Sequence, residues 1–175
     1  MRVLVTAASR HGATAEIADA IAESLERRGL EADVLHPNHV GSLDGYDAVV
    51  LGSAVYSGHW SEDAKLLVHR SAHALSHKPL WLFSSGRVGD PSTKMAQQME
   101  ADPVDLEEIR AASHALGHHM FAGKLDRREL SFGQRIALSL FPGLQGDFRD
   151  WDEIDGWAEE IATALTQTGV VGVAT

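Results

Sequence analysis

Cysteine is absent from this chain of 175 residues. Its absence excludes disulfides, thiolate metal ligands and thiol nucleophiles, so any redox chemistry has to come from a bound cofactor. Long apolar runs are missing too, since no stretch approaches the roughly 20 residues that a membrane-spanning helix needs. The apolar N-terminal run, residues 1–6, is too short for a signal peptide. We therefore expect a cytoplasmic protein.

Positive charge is scarce as well: 15 Lys and Arg stand against 25 Asp and Glu, which gives a formal net charge of −10. A nucleic-acid partner needs a basic surface, so the charge argues against one over most of the chain. Acidity favours solubility, and it also suits transient docking on basic partners. The length suits a single domain with a sizeable core. We expect one domain over residues 1–167 and a loose tail over 168–175.

Strand and helix patterns alternate along the chain. Short apolar runs predict five strands: 2–7, 31–35, 46–52, 79–84 and 119–122. Amphipathic spacing predicts helices between and after them: 13–28, 61–77, 105–116 and 152–165. Near-continuous apolar strands separated by such helices require a parallel sheet covered on both faces. With right-handed crossovers, the simplest α/β arrangement is a five-stranded doubly wound sheet of order 2-1-3-4-5.

Ligands of a doubly wound sheet bind beyond the carboxyl ends of the strands, beside the point where strand order reverses. That rule directs attention to the loops after the first, third and fourth strands. The first loop, residues 8–14, contains Ser9, Gly12 and Thr14 directly before a helix. Hydroxyls, a flexible glycine and the positive end of the helix suit a phosphate. An ordinary N-capped helix explains the same residues equally well.

The second loop, residues 52–60, carries two aromatic side chains among polar residues. Tyr56 is the better candidate to stack on a planar heterocycle, whereas Trp60 is expected to pack beneath the loop. The third loop, residues 84–91, is rich in small residues that let backbone amides approach a ring edge. A plain turn between strand and helix is the stronger interpretation of the third loop taken alone.

The three loops together resemble the flavodoxin family. The shared motifs are Ser-x-x-Gly-x-Thr, Gly-Ser-x-x-Tyr-x-Gly and Ser-Ser-Gly, in this order and at these strand ends. The resemblance implies a non-covalently bound FMN. It implies that the phosphate is held by Ser9, Arg10, His11, Gly12, Ala13 and Thr14. It implies that the ring is flanked by Ser53, Ala54, Val55, Tyr56, Ser57 and Gly58, and by Ser84, Ser85, Gly86, Arg87, Val88 and Gly89.

An insertion of about 25 residues, 124–149, follows the fifth predicted strand and is longer than an ordinary loop. Apolar residues recur in it at helical spacing, and it is the basic part of an acidic chain. The segment has a net charge of +2, from five basic residues (Lys124, Arg127, Arg128, Arg135 and Arg149) and three acidic ones (Asp126, Glu129 and Asp147).

This region gives the chain a narrower resemblance, to the menaquinone-dependent protoporphyrinogen oxidases. The likeness rests on residues 121–125, on Asp147-x-Arg149-Asp150-Trp151, and on Ser9-Arg10-His11-Gly12. It implies an enzyme of heme biosynthesis that oxidises a porphyrinogen and passes electrons through FMN to a quinone. Arginines of 124–149 would pair with substrate propionates, and the segment would touch the inner face of a membrane. An extra helix capping the sheet edge, with its arginines in local salt bridges, is the alternative.

Other polar clusters have simpler explanations than a metal site. His69, His73 and His77 recur every four residues, but no acidic fourth ligand accompanies them, so we expect no metal. Acids near the start of the last helix suit its dipole. No catalytic side chain is assigned, because the flavin itself would carry the chemistry. Arg87 is expected to raise the flavin potential. A carrier docking on a reductase and a binding protein without FMN remain open alternatives to an enzyme.

Overall fold

The computed structural model describes residues 1–87, 102–125 and 146–170. The strands in these ranges are β1 Arg2–Ala8, β2 Glu31–Leu35, β3 Ala48–Tyr56, β4 His59–Trp60, β5 Leu80–Arg87, β6 Gly117–Ala122, β7 Lys124–Leu125 and β8 Gly146–Asp147. The helices are α1 Ala13–Arg27, α2 Glu62–Leu75, α3 Leu106–Ser113 and α4 Trp151–Val170, with a 3-10 turn at Pro37–His39.

Five parallel strands form the main sheet in the order β2-β1-β3-β5-β6, which confirms the predicted doubly wound topology. Val5 of β1 pairs with Val34 on one side and Val50 on the other, so β1 and β3 lie at the centre. Strand order reverses at β1, because the chain moves to β2 on one flank and later to β3 on the opposite flank. The β1–β3 junction is therefore the switch point at which this class of sheet binds ligands.

Each face of the sheet buries its own apolar cluster. On one face, Val3 and Val5 of β1 pack with α1 and α4 through Ile21 and Ile161. The opposite face of β1 packs with α2 and α3, and Leu4 belongs to that cluster. Because side chains alternate along a strand, near-continuous apolar strands are what two covered faces demand. Helices on both sides are thus a direct outcome of the sequence pattern.

Several element boundaries differ from the prediction: β6 begins at Gly117 instead of His119, and α3 ends at Ser113 instead of Leu116. Strand β3 continues to Tyr56 instead of ending at Gly52, and β5 continues to Arg87 instead of ending at Ser84. Residues 53–56 and 85–87, expected in loops, are therefore strand residues. Helix α4 runs to Val170, past the predicted end at Leu165 and into the segment expected to be a loose tail. Residues 171–175 lie outside the described residues.

The two ends of the predicted insertion are held together. Lys124 pairs with Asp147, and Leu125 with Gly146, in the antiparallel β7–β8 ribbon. Residues 126–145, including most of the basic and apolar positions singled out in the sequence, lie outside the described residues. Among the described helices, none is long and apolar enough to cross a membrane.

Candidate functional site

The ends of β1, β3 and β5 meet at one edge of the sheet. Ala8 is paired with Ser53, and Ser53 with Ser84, so the three chain segments proposed from sequence lie side by side. The paired residues are 45 and 31 positions apart in the sequence, and only the topology brings them into one place. This edge is the candidate functional site.

The first segment ends in a helix start that is open to a ligand. Gly12, the N-cap residue of α1, has φ of 81°, and its carbonyl accepts the first helical hydrogen bond, from the Glu16 amide, at 2.9 Å. A Cβ at Gly12 would meet no atom within 4 Å, so open space lies beside the loop. The first amides of a helix have no partner within it and carry the positive end of the dipole. This donor set fits a phosphate.

Aromatic and cationic side chains join the first segment to the second. The Arg10 guanidinium carbon lies 4.8 Å from the centroid of the Tyr56 ring. The His11 ring lies 6.3 Å from the same ring, at an interplanar angle of 75°. Tyr56, the residue predicted from the sequence as a stacking platform, therefore lies directly beside the first segment. An aromatic face next to a helix N-terminus suits a ligand that has both a planar ring and an anionic group.

The second segment forms a hairpin that the sequence analysis missed. Tyr56 pairs with His59 and Val55 with Trp60 across a two-residue turn. Both turn residues have positive φ, 53° at Ser57 and 82° at Gly58, which is the geometry of a type I′ turn. The Ser-Gly pair was the available signal, since a glycine at the second turn position permits this conformation. Pairing with His59 in this hairpin holds the backbone of Tyr56 in place at the end of β3.

Small residues in the second and third segments permit close strand packing. A Cβ on Gly86 would lie 3.0 Å from the Val55 carbonyl oxygen, so β5 approaches β3 closely there. A Cβ on Gly52 would lie 2.1 Å from the tip of the Phe83 ring, so Phe83 needs that space. Both glycines therefore permit close packing at the site edge. The buried Phe83 ring occupies the space that a side chain at Gly52 would need.

Several predicted contact residues face the protein interior instead of solvent. Ser53 is buried, and its hydroxyl donates to the Ala54 carbonyl and accepts from the Ser61 amide, both at 2.9 Å. Ser84 is buried as well. The side chains of Ser53 and Ser84 are thus committed to internal bonds, which limits any ligand contact there to the backbone. The side chain of Arg87, and Val88 and Gly89 entirely, lie outside what the structure describes.

A buried polar chain runs beneath the site. The Trp60 indole N–H donates to the Ser84 hydroxyl at 2.8 Å, and that hydroxyl lies 2.8 Å from Nε2 of His118. Because Ser84 accepts from Trp60, its own proton is free to go to His118 Nε2, which leaves the imidazole proton on Nδ1. Nδ1 lies 3.8 Å from the Asp102 carboxylate. Trp60 is therefore the packing residue that the sequence suggested, tethered at its polar atom.

His118 is neutral in this environment. Its side chain is 6% exposed. Burial lowers its pKa from 6.5 to about 4, and the nearby Asp102 opposes that shift only in part. An imidazole held neutral and hydrogen-bonded serves as a rigid support for the hairpin at Trp60. No pattern in the sequence indicates this role, because His118 is one histidine among ten.

Asp105 fastens the hairpin to the chain that follows the third segment. Its carboxylate accepts from the Trp60 amide at 2.9 Å and lies 3.0 Å from Nδ1 of His59. The Val104 amide also donates to the Gly58 carbonyl, at 2.9 Å. Burial alone would raise the pKa of the Asp105 carboxyl, but the bonds from His59 and Trp60 outweigh burial and lower it. The sequence pattern predicts only that Asp105 begins a helix, and it gives no indication of these contacts with the hairpin.

Arg149 is internal, not a surface residue of a basic segment. Its side chain forms a bidentate ion pair with Asp147, in which Nε lies 2.7 Å from Oδ1 and Nη2 lies 2.5 Å from Oδ2. Its guanidinium also lies 4.5 Å from the Trp151 ring centroid. Of the arginines in 124–149, Arg149 therefore agrees with the alternative of local salt bridges, since its guanidinium is committed to partners within the protein.

The histidine series on α2 has local partners. His77 Nδ1 lies 2.8 Å from the His73 carbonyl, and His69 faces Glu108 at 3.8 Å. The acids at the start of α4 are likewise engaged, because Asp150 accepts from the amides of residues 152 and 153. Within 1–87, 102–125 and 146–170, no group of three or more acidic or histidine side chains has the geometry to hold a metal ion.

The sheet order and the loop arrangement define a flavodoxin-like α/β protein. Residues 4–151 match the flavodoxin domain family model, and the chain belongs to that family. A curated relative is the protoporphyrinogen IX dehydrogenase [quinone] of Escherichia coli K12, which is 24% identical, with 93% of this chain and 95% of the relative covered. The E. coli O157:H7 protein of the same name matches equally.

Solved structures of similar fold include two flavodoxins. The Streptococcus pneumonia TIGR4 flavodoxin has a TM-score of 0.61 and 20% identity, with 94% of this chain and 99% of that chain covered. Flavodoxin 1 from Bacillus cereus has a TM-score of 0.59 and 17% identity, with 93% and 98% covered. Rubredoxin oxygen:oxidoreductase from Desulfovibrio gigas aligns over 36% of its own chain with a TM-score of 0.60. At these identities the likeness is one of fold.

Proposed function

We propose that the chain binds one FMN at the edge formed by β1, β3 and β5. The observation that carries the proposal is the contact between the phosphate loop and the ring platform, Arg10 and His11 against Tyr56. Together with the open first turn of α1, this contact offers an anion site and an aromatic face at one place. Membership of the flavodoxin domain family supports FMN as the ligand.

The roles of individual residues follow from their exposure. Backbone amides of residues 12–14 would hold the phosphate, with Ser9, Arg10 and His11 around it. The turn at Ser57–Gly58 and the backbone at Gly86 would border the ring edge. Bound FMN would supply the redox chemistry, while the protein sets its orientation and its electrostatic surroundings. The buried network below Trp60 would keep the platform in place.

The reaction we propose is oxidation of a porphyrinogen with a quinone as electron acceptor. Support comes from the curated relatives, which are named protoporphyrinogen IX dehydrogenase [quinone] and align over nearly the whole chain. Support also comes from the β7–β8 ribbon, which holds an insertion at the end of β6 beside the site edge. A flavodoxin-type electron carrier is the second candidate. The similarity to two flavodoxins and the net charge of −10, which suits a basic redox partner, favour it.

The first experiment is an absorption spectrum of the purified protein, before and after incubation with FMN. Flavin bands that remain after gel filtration support the cofactor proposal. A protein that neither carries nor takes up flavin contradicts it, and a flavodoxin-fold binding protein without FMN then becomes the better interpretation.

The second experiment separates enzyme from carrier. The loaded protein is assayed for protoporphyrinogen oxidation with a soluble quinone, beside a variant in which a short Gly-Ser link replaces residues 126–146. We expect activity in the first protein, and a large loss in the second with flavin content retained. Absence of activity in a flavin-loaded protein that still exchanges electrons with a reductase would favour the carrier. Full activity of the shortened variant would remove the insertion from the mechanism.

A further inference from the structure

A buried guanidinium lies beside the first turn of α1. The Arg149 side chain is 2% exposed. Its Nη1 lies 2.8 Å from Oε2 of Glu16 and donates to the Ala13 carbonyl at 3.1 Å. Ala13 is the first residue of α1, and Glu16 is the acid of its first turn. Arg149 therefore contacts the same helical turn whose amides would face a phosphate.

The opposite edge of this guanidinium is held by Asp147 of β8. Two carboxylates, from Glu16 and Asp147, thus share one arginine at the base of the phosphate loop. Lys124 of β7 comes within 4.0 Å of Glu16 and adds a weaker, more exposed positive charge. Arg149 is the buried cation between the two acids, whose own side chains are partly exposed, 50% for Glu16 and 41% for Asp147.

Glu16 has opposite effects in the free and the ligand-bound protein. An acid in the first turn stabilises the helix dipole when no anion is bound. The same acid repels a phosphate that approaches the same amides, unless a cation offsets it. Loss of Arg149 would leave Glu16 and Asp147 next to the anion site with only the more distant Lys124 as a nearby cation. Repulsion of this kind acts on the phosphate of a ligand and leaves a neutral ring system almost unaffected.

We propose that Arg149 is a positioning residue for phosphate recognition. It offsets part of the negative charge of Glu16 and Asp147 and donates to the carbonyl of Ala13, so that the loop prefers a phosphorylated flavin to the neutral flavin nucleoside. This inference deepens the proposed function and rests on it. A purely structural role would weaken the binding of both ligands alike, whereas phosphate selectivity requires that the two ligands respond differently.

The test compares FMN with riboflavin. The flavin-free full chain is titrated with each ligand by fluorescence quenching, as wild type, Arg149→Met and Arg149→Lys. Arg27→Met serves as the matched control, because Arg27 pairs with Asp155 at the far end of the same helix. We expect Arg149→Met to weaken FMN binding about tenfold and riboflavin binding less than about threefold. Arg149→Lys should recover much of the selectivity, and Arg27→Met should leave it unchanged.

A second variant tests the same electrostatics in the opposite direction and avoids a buried position. Glu16 is half exposed, and Glu16→Gln removes its charge while keeping its shape. We expect this variant to raise the preference for FMN over riboflavin about threefold at low salt. It also keeps the inference testable if Arg149→Met does not fold.

The possible failures are distinguishable. A wild-type protein that binds neither flavin overturns the proposed function and this inference with it. The wild-type protein could bind FMN while the Arg149 and Glu16 variants keep the wild-type ratio of the FMN and riboflavin affinities. That result overturns the inference about Arg149 and leaves the proposed function in place. Equal losses for FMN and riboflavin in Arg149→Met would assign Arg149 a structural role only.

Discussion

The buried imidazole of His118 predicts a specific dependence of stability on pH. In the unfolded chain a histidine titrates near pH 6.5, whereas His118 in the folded protein has its pKa lowered to about 4. At pH values between these two pKa values, the histidine is protonated in the unfolded chain and neutral in the folded protein. The stability that depends on a neutral His118 is therefore complete above pH 6.5 and is lost as the pH falls toward 4.

The magnitude follows from the two pKa values. The full difference corresponds to about 3 kcal/mol of unfolding free energy, and about 2 kcal/mol of it should be lost between pH 7 and pH 5. Other perturbed groups act elsewhere on the pH scale. The carboxyl pKa values of Asp105 and Asp147 are lowered from 3.8, so their contributions are lost at lower pH.

The assay is urea unfolding at closely spaced pH values from 7.5 to 5, for wild type, His118→Gln and His69→Gln. His118→Gln removes the titrating group and should flatten the loss of stability over this range, at the cost of a lower stability near pH 7. His69, with its side chain more than half exposed, is the matched control and should leave the wild-type slope in place. Parallel curves for wild type and His118→Gln would refute the claim that His118 is buried as the neutral form.

Three further variants test the site architecture. Gly52→Ala would place a methyl group 2.1 Å from the Phe83 ring, so we expect thermal or urea unfolding to show a loss of about 2 kcal/mol in the free energy of unfolding. Gly41→Ala is the control and should have no effect, because a methyl group there meets nothing within 4 Å. Asp105→Asn should lower the free energy of unfolding by about 1–2 kcal/mol and speed amide exchange at Trp60, and unchanged exchange there would argue against the bond from the Trp60 amide to Asp105. Tyr56→Ala should weaken FMN and riboflavin about equally, by about three- to tenfold in fluorescence titrations, and an unchanged affinity would remove Tyr56 as a stacking platform.

Strand order was predictable because it follows from periodicity and handedness. Apolar runs such as Val3–Val5 and Val49–Leu51 could only be buried on both faces, and right-handed crossovers then leave few topologies. Boundaries were less predictable. Gly52 and Ser53 resemble loop residues in composition, but β3 is the central strand, and its pairing continues to Ser53 on the β1 side and to Ala54 on the β5 side.

The side-chain networks could not be predicted from the sequence. Ser84 and His118 are 34 positions apart, and neither has a local pattern that marks a buried polar pair. Arg149 was grouped with its basic neighbours, because spacing alone cannot reveal that Asp147 and Glu16 surround it. Partners of this kind depend on register and helix placement, which a single sequence specifies only through the complete fold.

The central claim, a single FMN at the β1–β3–β5 edge, is tested most directly by titrating FMN into isotope-labelled protein and following backbone amide resonances. We expect one FMN per chain, with the largest changes at residues 9–14, 56–58 and 84–86. Residues 44–47 and 76–79, at the opposite edge of the sheet, should stay unchanged. Saturable changes confined to that opposite edge, or no changes at any FMN concentration, would show that FMN does not bind at the β1–β3–β5 edge.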